Sequence, residues 1–161
     1  MKYIEFVSKF KFQSCNLPKE RQLSLAVWIC KRLFFDYQEF ADHNQWGDPD
    51  ILLDAINLAE SSIAKAVDIS KVKDLLAKIM KAAPDSEDFG NASYAINACS
   101  AVYETMEFLI DGNCEHIYNT GTCLTDTIDF KIQEEHGLTE NQIDNNPLMI
   151  EARNYLIQST S

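Results

Sequence analysis

The sequence predicts an all-α protein, a single-domain helical bundle of about seven helices that spans residues 1–161. Apolar residues recur at helical spacing through most of the chain, and no segment alternates apolar and polar residues as a half-buried strand does. Glycine and proline stand mainly where one helical pattern stops and the next begins. With 46% hydrophobic residues, the chain can bury a core without metals or disulfides.

After an N-terminal helix, the second helical pattern extends from Pro18 to about Asn44. It has apolar residues on two sides, because Trp28 and Phe35 fall opposite its main apolar stripe. A helix of this kind is usually sandwiched within a bundle.

The segment FADHNQWGDPD, residues 40–50, interrupts the helical pattern. We interpret it as a structural joint. Gly47 can adopt the left-handed conformation that ends one helix, Asp48 is a good N-cap for the next, and Pro49 suits its first turn. Trp46 is expected to fold back as a hydrophobic plug.

The third helix is predicted from Pro49 to Val67, and a short basic helix follows near residues 70–82. Pro84 ends that helix, because proline cannot continue it. The next helix is expected to begin in the acidic segment DSEDF, with Asp85 or Ser86 as its N-cap.

Four further helices complete the predicted bundle. A long one from about Asp88 to Asp111 ends at Gly112, and another covers roughly residues 114–136 and ends at Gly137. The segment TENQ, residues 139–142, has the spacing of a capping box for a short helix. Asn146 and Pro147 then start a last helix that reaches about residue 158.

Charge is distributed unevenly along the chain, whose net charge is −11. Residues 1–81 carry twelve Lys and Arg against eleven Asp and Glu, whereas residues 82–161 carry only Lys131 and Arg153 against fourteen acids. An acidic surface of this size repels nucleic acid and anionic membranes and attracts cationic partners. The alternative is that the acidic surface only keeps the protein in solution.

No apolar run approaches the length of a membrane span, and the N-terminal segment MKYIEFVSKFKF carries charges among its apolar residues. A signal peptide is therefore not expected, and the predicted location is cytoplasmic. The five cysteines are odd in number and form no C-x-x-C pair, so we expect all of them to be reduced.

No pattern in the sequence predicts a metal site, a cofactor or a reaction. Cys114, His116 and Cys123 lie in one segment, but a second close pair of zinc ligands is missing. His136 follows two glutamates, and its place near a helix C-terminus suits the helix dipole without any catalysis. There is no H-E-x-x-H, G-x-S-x-G or phosphate-binding loop. We therefore expect no bound metal and no enzymatic activity.

Three blocks of the chain resemble, in order, the bacterial YjaG-like family of small helical proteins, which is grouped under a domain of unknown function. The blocks are residues 29–48, 82–102 and 145–157. The matching residues are Arg32, Tyr37, Phe40, Gly47, Asp48, Pro84, Asp88, Phe89, Ala98, Cys99 and Pro147. The resemblance implies an all-helical bacterial cytosolic protein and brings no catalytic residues. Within the matching set, Arg32, Tyr37, Gly47 and Asp48 are interpreted as framework, with Arg32 paired to a carboxylate such as Asp36 one turn on; a shared pocket is the functional alternative.

The acidic second half offers one candidate surface for a partner. Helices joined by the short turn Gly112-Asn113 should pack antiparallel, so the acids on their outer sides can merge into one face. Two aromatic rings are expected on the same side as apolar anchors, unless another helix covers them. The candidate partner-binding residues are Glu104, Glu107, Phe108, Asp111, Glu115, Asp126 and Phe130.

These observations favour an acidic binding protein of the immunity or antitoxin type, which neutralises a basic toxin, such as a nuclease domain, by covering its active surface. A housekeeping YjaG-like protein with a regulatory or assembly role is the main alternative. A small hydrolase that uses scattered carboxylates and histidines is the third.

Overall fold

The computed structural model describes residues 1–134 and 137–161, which form eight α-helices and no β-strand. The predicted all-α class is confirmed, with one helix more than the approximate count. The helices are α1 (Tyr3–Asn16), α2 (Lys19–Asn44), α3 (Pro49–Ser61), α4 (Ile69–Ala82), α5 (Ser93–Asp111), α6 (Glu115–Gln133), α7 (Glu140–Asp144) and α8 (Pro147–Ser159). In the part of the chain that the structure describes, no helix is long and apolar enough to span a membrane.

Helix α2 lies inside the bundle and contacts α3, α5 and α6. On its second apolar side, one aromatic side chain is covered by another helix and the other is exposed. Trp28 stacks on Tyr155 of α8 with ring centroids 3.9 Å apart, whereas Phe35 is 68% exposed. The prediction that α2 is sandwiched between other helices is therefore confirmed at Trp28. It is wrong at Phe35, which no other helix in the described part of the chain covers.

Helix α1 packs against α6 and α8. The α1–α6 contact is close because Gly121 of α6 faces the ring of Phe10, and a Cβ at Gly121 would lie 2.2 Å from a ring carbon of Phe10. Phe10 and the neighbouring Phe6 are fully buried, with their rings stacked 5.5 Å apart. A residue without a side chain is therefore required where α1 crosses α6.

The joint between α2 and α3 is structural, as expected, but its details differ from the prediction. The left-handed residue that caps α2 is Gln45, with φ 51°, and Gly47 adopts a second positive φ of 88°. The side chain of Asp48 accepts the backbone N–H of Asp50, and Pro49 starts α3. The chain thus turns with two left-handed residues, one of which is not glycine.

Aromatic side chains fill the inside of this joint. Trp46 folds back onto Phe40 and Phe89, with centroids 6.0 and 5.3 Å away. The buried Tyr37 hydroxyl donates to the carbonyl of Ala82 at 2.7 Å and accepts the N–H of Asp48 at 3.1 Å. Tyr37 thereby ties the joint to the end of α4.

Two predicted helix boundaries are wrong by several residues. Helix α3 ends at Ser61 and not at Val67. The side chain of Asp68, just after Val67, forms the N-cap of α4. Helix α5 begins at Ser93, because the side chain of Asp85 accepts the N–H of Glu87 within a turn and does not cap a helix. An Asx turn and a helix N-cap look alike in sequence, since both use an acidic side chain and a nearby N–H.

The last helices begin as predicted. Thr139 and Gln142 form the capping box of α7, and Asn146 caps α8 with Pro147 at its first turn. Helix α6 ends at Gln133. His136, which was expected near the C-terminus of this helix, and the preceding residue 135 lie outside the described part of the chain.

Candidate partner-binding face

Helices α5 and α6 pack side by side and run antiparallel. Asn97 near the start of α5 donates to Thr127 near the end of α6 at 3.1 Å. Farther along, Asn119 of α6 donates to Glu104 of α5 at 3.2 Å. Asn119 shares an outer stripe of α6 with Glu115 and Asp126, by helical spacing. The acidic rows of the two helices therefore meet where Glu104 contacts Asn119.

Three acids of α5 gather around one histidine of α6. Nδ1 of His116 lies 2.6 Å from Oε2 of Glu104, and Nε2 lies 3.1 Å from Oδ2 of Asp111. The ligand atoms of Glu107, Asp111 and His116 all lie within 4.8 Å of one another. We call Glu104, Glu107, Asp111 and His116 the His116 cluster.

Neighbouring groups hold the members of the His116 cluster. The backbone N–H of Asn113 donates to Asp111 at 2.8 Å, and this bond together with His116 lowers the pKa of Asp111. The carboxylate of Glu107, with partial burial, raises the pKa of Tyr103. Burial lowers the pKa of His116, but the hydrogen bonds to Glu104 and Asp111 outweigh it, and the net shift is upward.

The remaining predicted acids lie on either side of this cluster. Glu115 forms an ion pair with Lys11 of α1 at 2.7 Å, and both side chains are close to half exposed. Asp126 is exposed and lines a groove with Tyr3 and Arg153. Desolvation and the charge of Asp129 raise the pKa of Asp126. Glu115 is thus partly neutralised by α1, and Asp126 faces a groove with residues of α1 and α8. The structure brings Glu104, Glu107 and Asp111 together around His116 but does not place Glu115 and Asp126 in contact with them.

The outward position predicted for Phe108 is wrong. Its ring is only 5% exposed and belongs to the core, and Nζ of Lys19 lies 5.1 Å from the ring centroid. The start of α2 thus covers a side of α5 that helical spacing alone assigned to solvent. A helix contacted on several sides has no single inner stripe.

Phe130 remains accessible, with 44% of its surface exposed, but it lies far from the His116 cluster. The fourteen residues between His116 and Phe130 correspond to about 20 Å along α6. Phe130 lines a shallow pocket with Asn91, Tyr94 and Glu134 at the opposite end of the helix pair. The two aromatic anchors predicted for the face are therefore reduced to one, at its far end.

The cysteines differ from the sequence-based expectation. Cys15 at the end of α1 and Cys114 before α6 form a disulfide, while Cys30, Cys99 and Cys123 are buried free thiols. Burial raises the pKa of the Cys30 and Cys99 thiols to about 12. The pair was missed because a distance in sequence of 99 residues carries no signal of contact.

The predicted pair between Arg32 and Asp36 is also wrong. Asp36 accepts from Lys131 of α6 at 3.0 Å, and the guanidinium of Arg32 lies over the ring of Trp28, 5.5 Å from its centroid. Tyr37 has a structural role in the α2–α3 joint. Arg32 therefore lies apart from Tyr37, Gly47 and Asp48, and these matching residues do not form one pocket. Other residues of the same block, Asp36, Glu39, Phe40 and His43, line a pocket with Asn91 and Tyr94.

The central position of His116 was not predicted from the sequence. There, His116 was considered as a zinc ligand together with Cys114 and Cys123, one of which is in a disulfide and the other buried. A usable signal was present, because the short turn at Gly112 places the first residues of α6 beside the last turns of α5. Three acids at helical spacing before such a turn and a histidine just after it are expected to meet.

Comparison with known proteins places the chain in a family. The family model described as "Protein of unknown function (DUF416)" matches residues 9–159. The chain belongs to the DUF416 family. No curated protein matches it. Among solved structures, a crystal structure of a DUF416 family protein from Shewanella baltica OS155 is similar, with a TM-score of 0.80 and 20% sequence identity over 94% of this chain and 83% of that one.

At this identity, the similarity to the DUF416 structure shows a shared fold and carries no functional residues. The expected resemblance to a helical family of unknown function is confirmed at that level. The family description names no activity, ligand or partner.

Proposed function

We propose that this DUF416 protein is an acidic binding protein of the immunity or antitoxin type. It covers the active surface of a basic toxin, such as a nuclease, and has no catalytic role of its own. The partner-binding face consists of Glu104, Glu107, Asp111, Glu115 and Asp126, with Phe130 at its far end. Phe108 is no longer part of the face, because it is buried.

The observation that supports this proposal most is uncompensated charge. The only two cations of residues 82–161 are both engaged: Lys131 with Asp36, and the buried Arg153 with Asp144. Among the described residues, no Lys or Arg forms an ion pair with Glu104, Glu107, Asp111 or Asp126, and His116 is the one basic group in ion-pair contact with Glu104 and Asp111. A field of this sign accelerates the approach of a cationic surface, and it imitates the charge of a nuclease substrate.

A regulatory or assembly role as a YjaG-like housekeeping protein is the second candidate, and membership of a family of unknown function is compatible with it. The gene neighbourhood separates the two. A neighbouring gene for a toxin, with growth restored when both genes are expressed together, supports the immunity role. An isolated gene and no protection support the housekeeping role.

The face is tested by charge reversal with the neighbouring toxin as the binding partner. The double variant Glu104→Lys/Glu107→Lys should associate about tenfold more slowly at low salt, because rim charges act mainly on the association rate. The difference should shrink as salt rises, since salt screens exposed charges. Stopped-flow association at several salt concentrations measures both effects, with circular dichroism to check the fold.

The matched control is Asp54→Lys/Asp74→Lys, which changes the net charge equally on exposed positions of α3 and α4. This control should lose little of the association rate. If the Glu104/Glu107 variant binds as fast as the parent at low salt, the acidic face only keeps the protein in solution, and the partner must be sought on the basic half.

A further inference from the structure

The His116 cluster presents an imidazole from one helix to carboxylates from another. Glu104 lies on the Nδ1 side of the ring at 2.6 Å, and Asp111 lies on the Nε2 side at 3.1 Å. A carboxylate oxygen of Glu107, one helical turn before Asp111, lies within 4.8 Å of a ring nitrogen of His116 and of an oxygen of Asp111. Acids at this spacing are common on helices, so the imidazole held between them is the informative feature.

Glu104 is fixed in place by more than the histidine. Nδ2 of Asn119 donates to the same Oε2 atom that faces His116, at 3.2 Å. When Glu104 accepts the Nδ1–H of His116, the ring orientation is set and the lone pair of Nε2 faces Asp111. A histidine that binds a metal through one nitrogen almost always donates its other N–H to a carboxylate or carbonyl in this way.

A neutral His116 therefore leaves Nε2 facing the Asp111 carboxylate with no proton between them. A neutral imidazole donates from one nitrogen alone, so Nε2 cannot donate to Asp111 while Nδ1 donates to Glu104. Either a second proton or a metal ion must stand between Nε2 and the carboxylates. The nearby ammonium of Lys19 is engaged with the carbonyl of Gly112.

We propose that Glu107, Asp111 and His116 bind a divalent transition metal ion such as Zn²⁺, with Glu104 as the residue that positions the imidazole. One nitrogen and two carboxylate ligands suit zinc, cobalt and nickel better than calcium or magnesium, which prefer oxygen ligands alone. Water completes the coordination. On binding, the ion displaces any proton on Nε2.

The geometry requires only a small adjustment. Ligands of a tetrahedral zinc ion lie about 3.4 Å apart, since the bonds are about 2.0–2.1 Å long. Nε2 of His116 and Oδ2 of Asp111 are already close to this spacing, at 3.1 Å. The Glu107 oxygen lies within 4.8 Å of the other two ligand atoms and must close by up to about 1.4 Å. Glu107 is partly exposed on the surface of α5 and can make this movement by a change of side-chain rotamer. Asp111 is already oriented by the N–H of Asn113.

This metal site does not rest on the proposed immunity function, because it is a property of the isolated chain. It replaces the sequence-based expectation of no bound metal. The zinc set considered there, Cys114 and Cys123 with His116, is not assembled, since Cys114 is in a disulfide and Cys123 is buried.

The test titrates metal-free protein with Co²⁺, without a reducing agent so that the disulfide stays closed. Visible absorption reports protein-bound cobalt, and calorimetry with Zn²⁺ gives the stoichiometry. We expect one ion per chain. His116→Ala should abolish binding, and Glu104→Gln should weaken it about 10–100-fold, as loss of an outer-shell partner does.

Asp126→Asn is the matched control, because Asp126 lies on the same acidic face outside the His116 cluster, and its affinity should equal that of the parent. Asp111→Asn should lower the affinity for the ion at least about tenfold. This variant tests the metal site if His116→Ala does not fold. The proposal is overturned if the parent shows no saturable binding at millimolar Co²⁺. It is equally overturned if folded His116→Ala or Asp111→Asn binds the ion as tightly as the parent.

Discussion

The two helix joints, between α2 and α3 and between α5 and α6, use similar backbone chemistry for different ends. Each contains a glycine with positive φ, 88° at Gly47 and 65° at Gly112. In each, an aspartate accepts a backbone N–H two residues on, from Asp50 in one and Asn113 in the other. The first joint turns its side chains into the core, whereas the second turns them toward solvent.

The difference lies in what the neighbouring side chains contact. At the α2–α3 joint, Trp46 and Tyr37 are packed inside, so that joint is stabilised by burial. At the α5–α6 joint, Asp111 and His116 interact at the surface, and Cys114 connects the joint covalently to α1. Glycine and aspartate at a turn thus indicate a helix end and say nothing about whether the turn has a function.

The largest expected effect comes from placing valine at Gly47. Gly47→Val should lower the free energy of unfolding by about 2–5 kcal/mol, because a β-branched residue is strained at positive φ and its side chain meets a packed ring. A Cβ at Gly47 would lie 2.5 Å from the Tyr37 hydroxyl. Urea denaturation measures the change.

Gly112→Val is the matched substitution at the other joint. Its Cβ meets only the end of the flexible Lys19 side chain, so the cost should be limited to the backbone strain of about 1–2 kcal/mol. Equal losses at both glycines would show that the packing around Tyr37 does not distinguish the joints.

The second effect concerns the disulfide that holds the α5–α6 joint to α1. Reduction should lower the free energy of unfolding by about 2–4 kcal/mol, since the bond between Cys15 and Cys114 closes a long loop. Thiol titration of the denatured, unreduced protein should find three free thiols.

The double variant Cys15→Ser/Cys114→Ser provides the control, because its stability should not respond to a reducing agent. Five reactive thiols in the unreduced parent would restore the expectation that all cysteines are reduced.

The smallest effect compares two tyrosine hydroxyls. Tyr37→Phe should cost about 1–3 kcal/mol, because it leaves the carbonyl of Ala82 and the N–H of Asp48 without their partner. Tyr103→Phe, beside Glu107 on the partly exposed side of α5, should change stability by no more than about 0.5 kcal/mol. Thermal unfolding of the two variants measures the difference, and a larger loss for Tyr103→Phe would contradict the assignment of a buried structural role to Tyr37.

Local patterns predicted most of the fold. Helical periodicity located the long helices, and the caps at Asp48, Thr139 and Asn146 were visible because each depends on residues close in sequence. The start of α5 was not visible in the sequence, since an acidic turn and a helix N-cap use the same types of residue. The left-handed Gln45 was missed because glycine is the default choice for that conformation.

The candidate site was predicted only where it follows from one or two adjacent helices. The short Gly112 turn implied that the acidic rows of α5 and α6 would meet. The burial of Phe108 depends on the start of α2, and the pairing of Cys15 with Cys114 depends on where α1 lies. Both are contacts between segments distant in sequence, on which periodicity is silent.

The contact between Gly121 and Phe10 has a consequence for oxidation. It determines how closely α1 lies against α6, and Cys15 is at the end of the same helix whose ring fills the space above Gly121. In the reduced protein, we expect this packing to hold the two thiols near each other before any bond forms, which gives them a high effective molarity. A larger side chain at position 121, more than one helical turn from either sulfur, should therefore slow the closing of the crosslink.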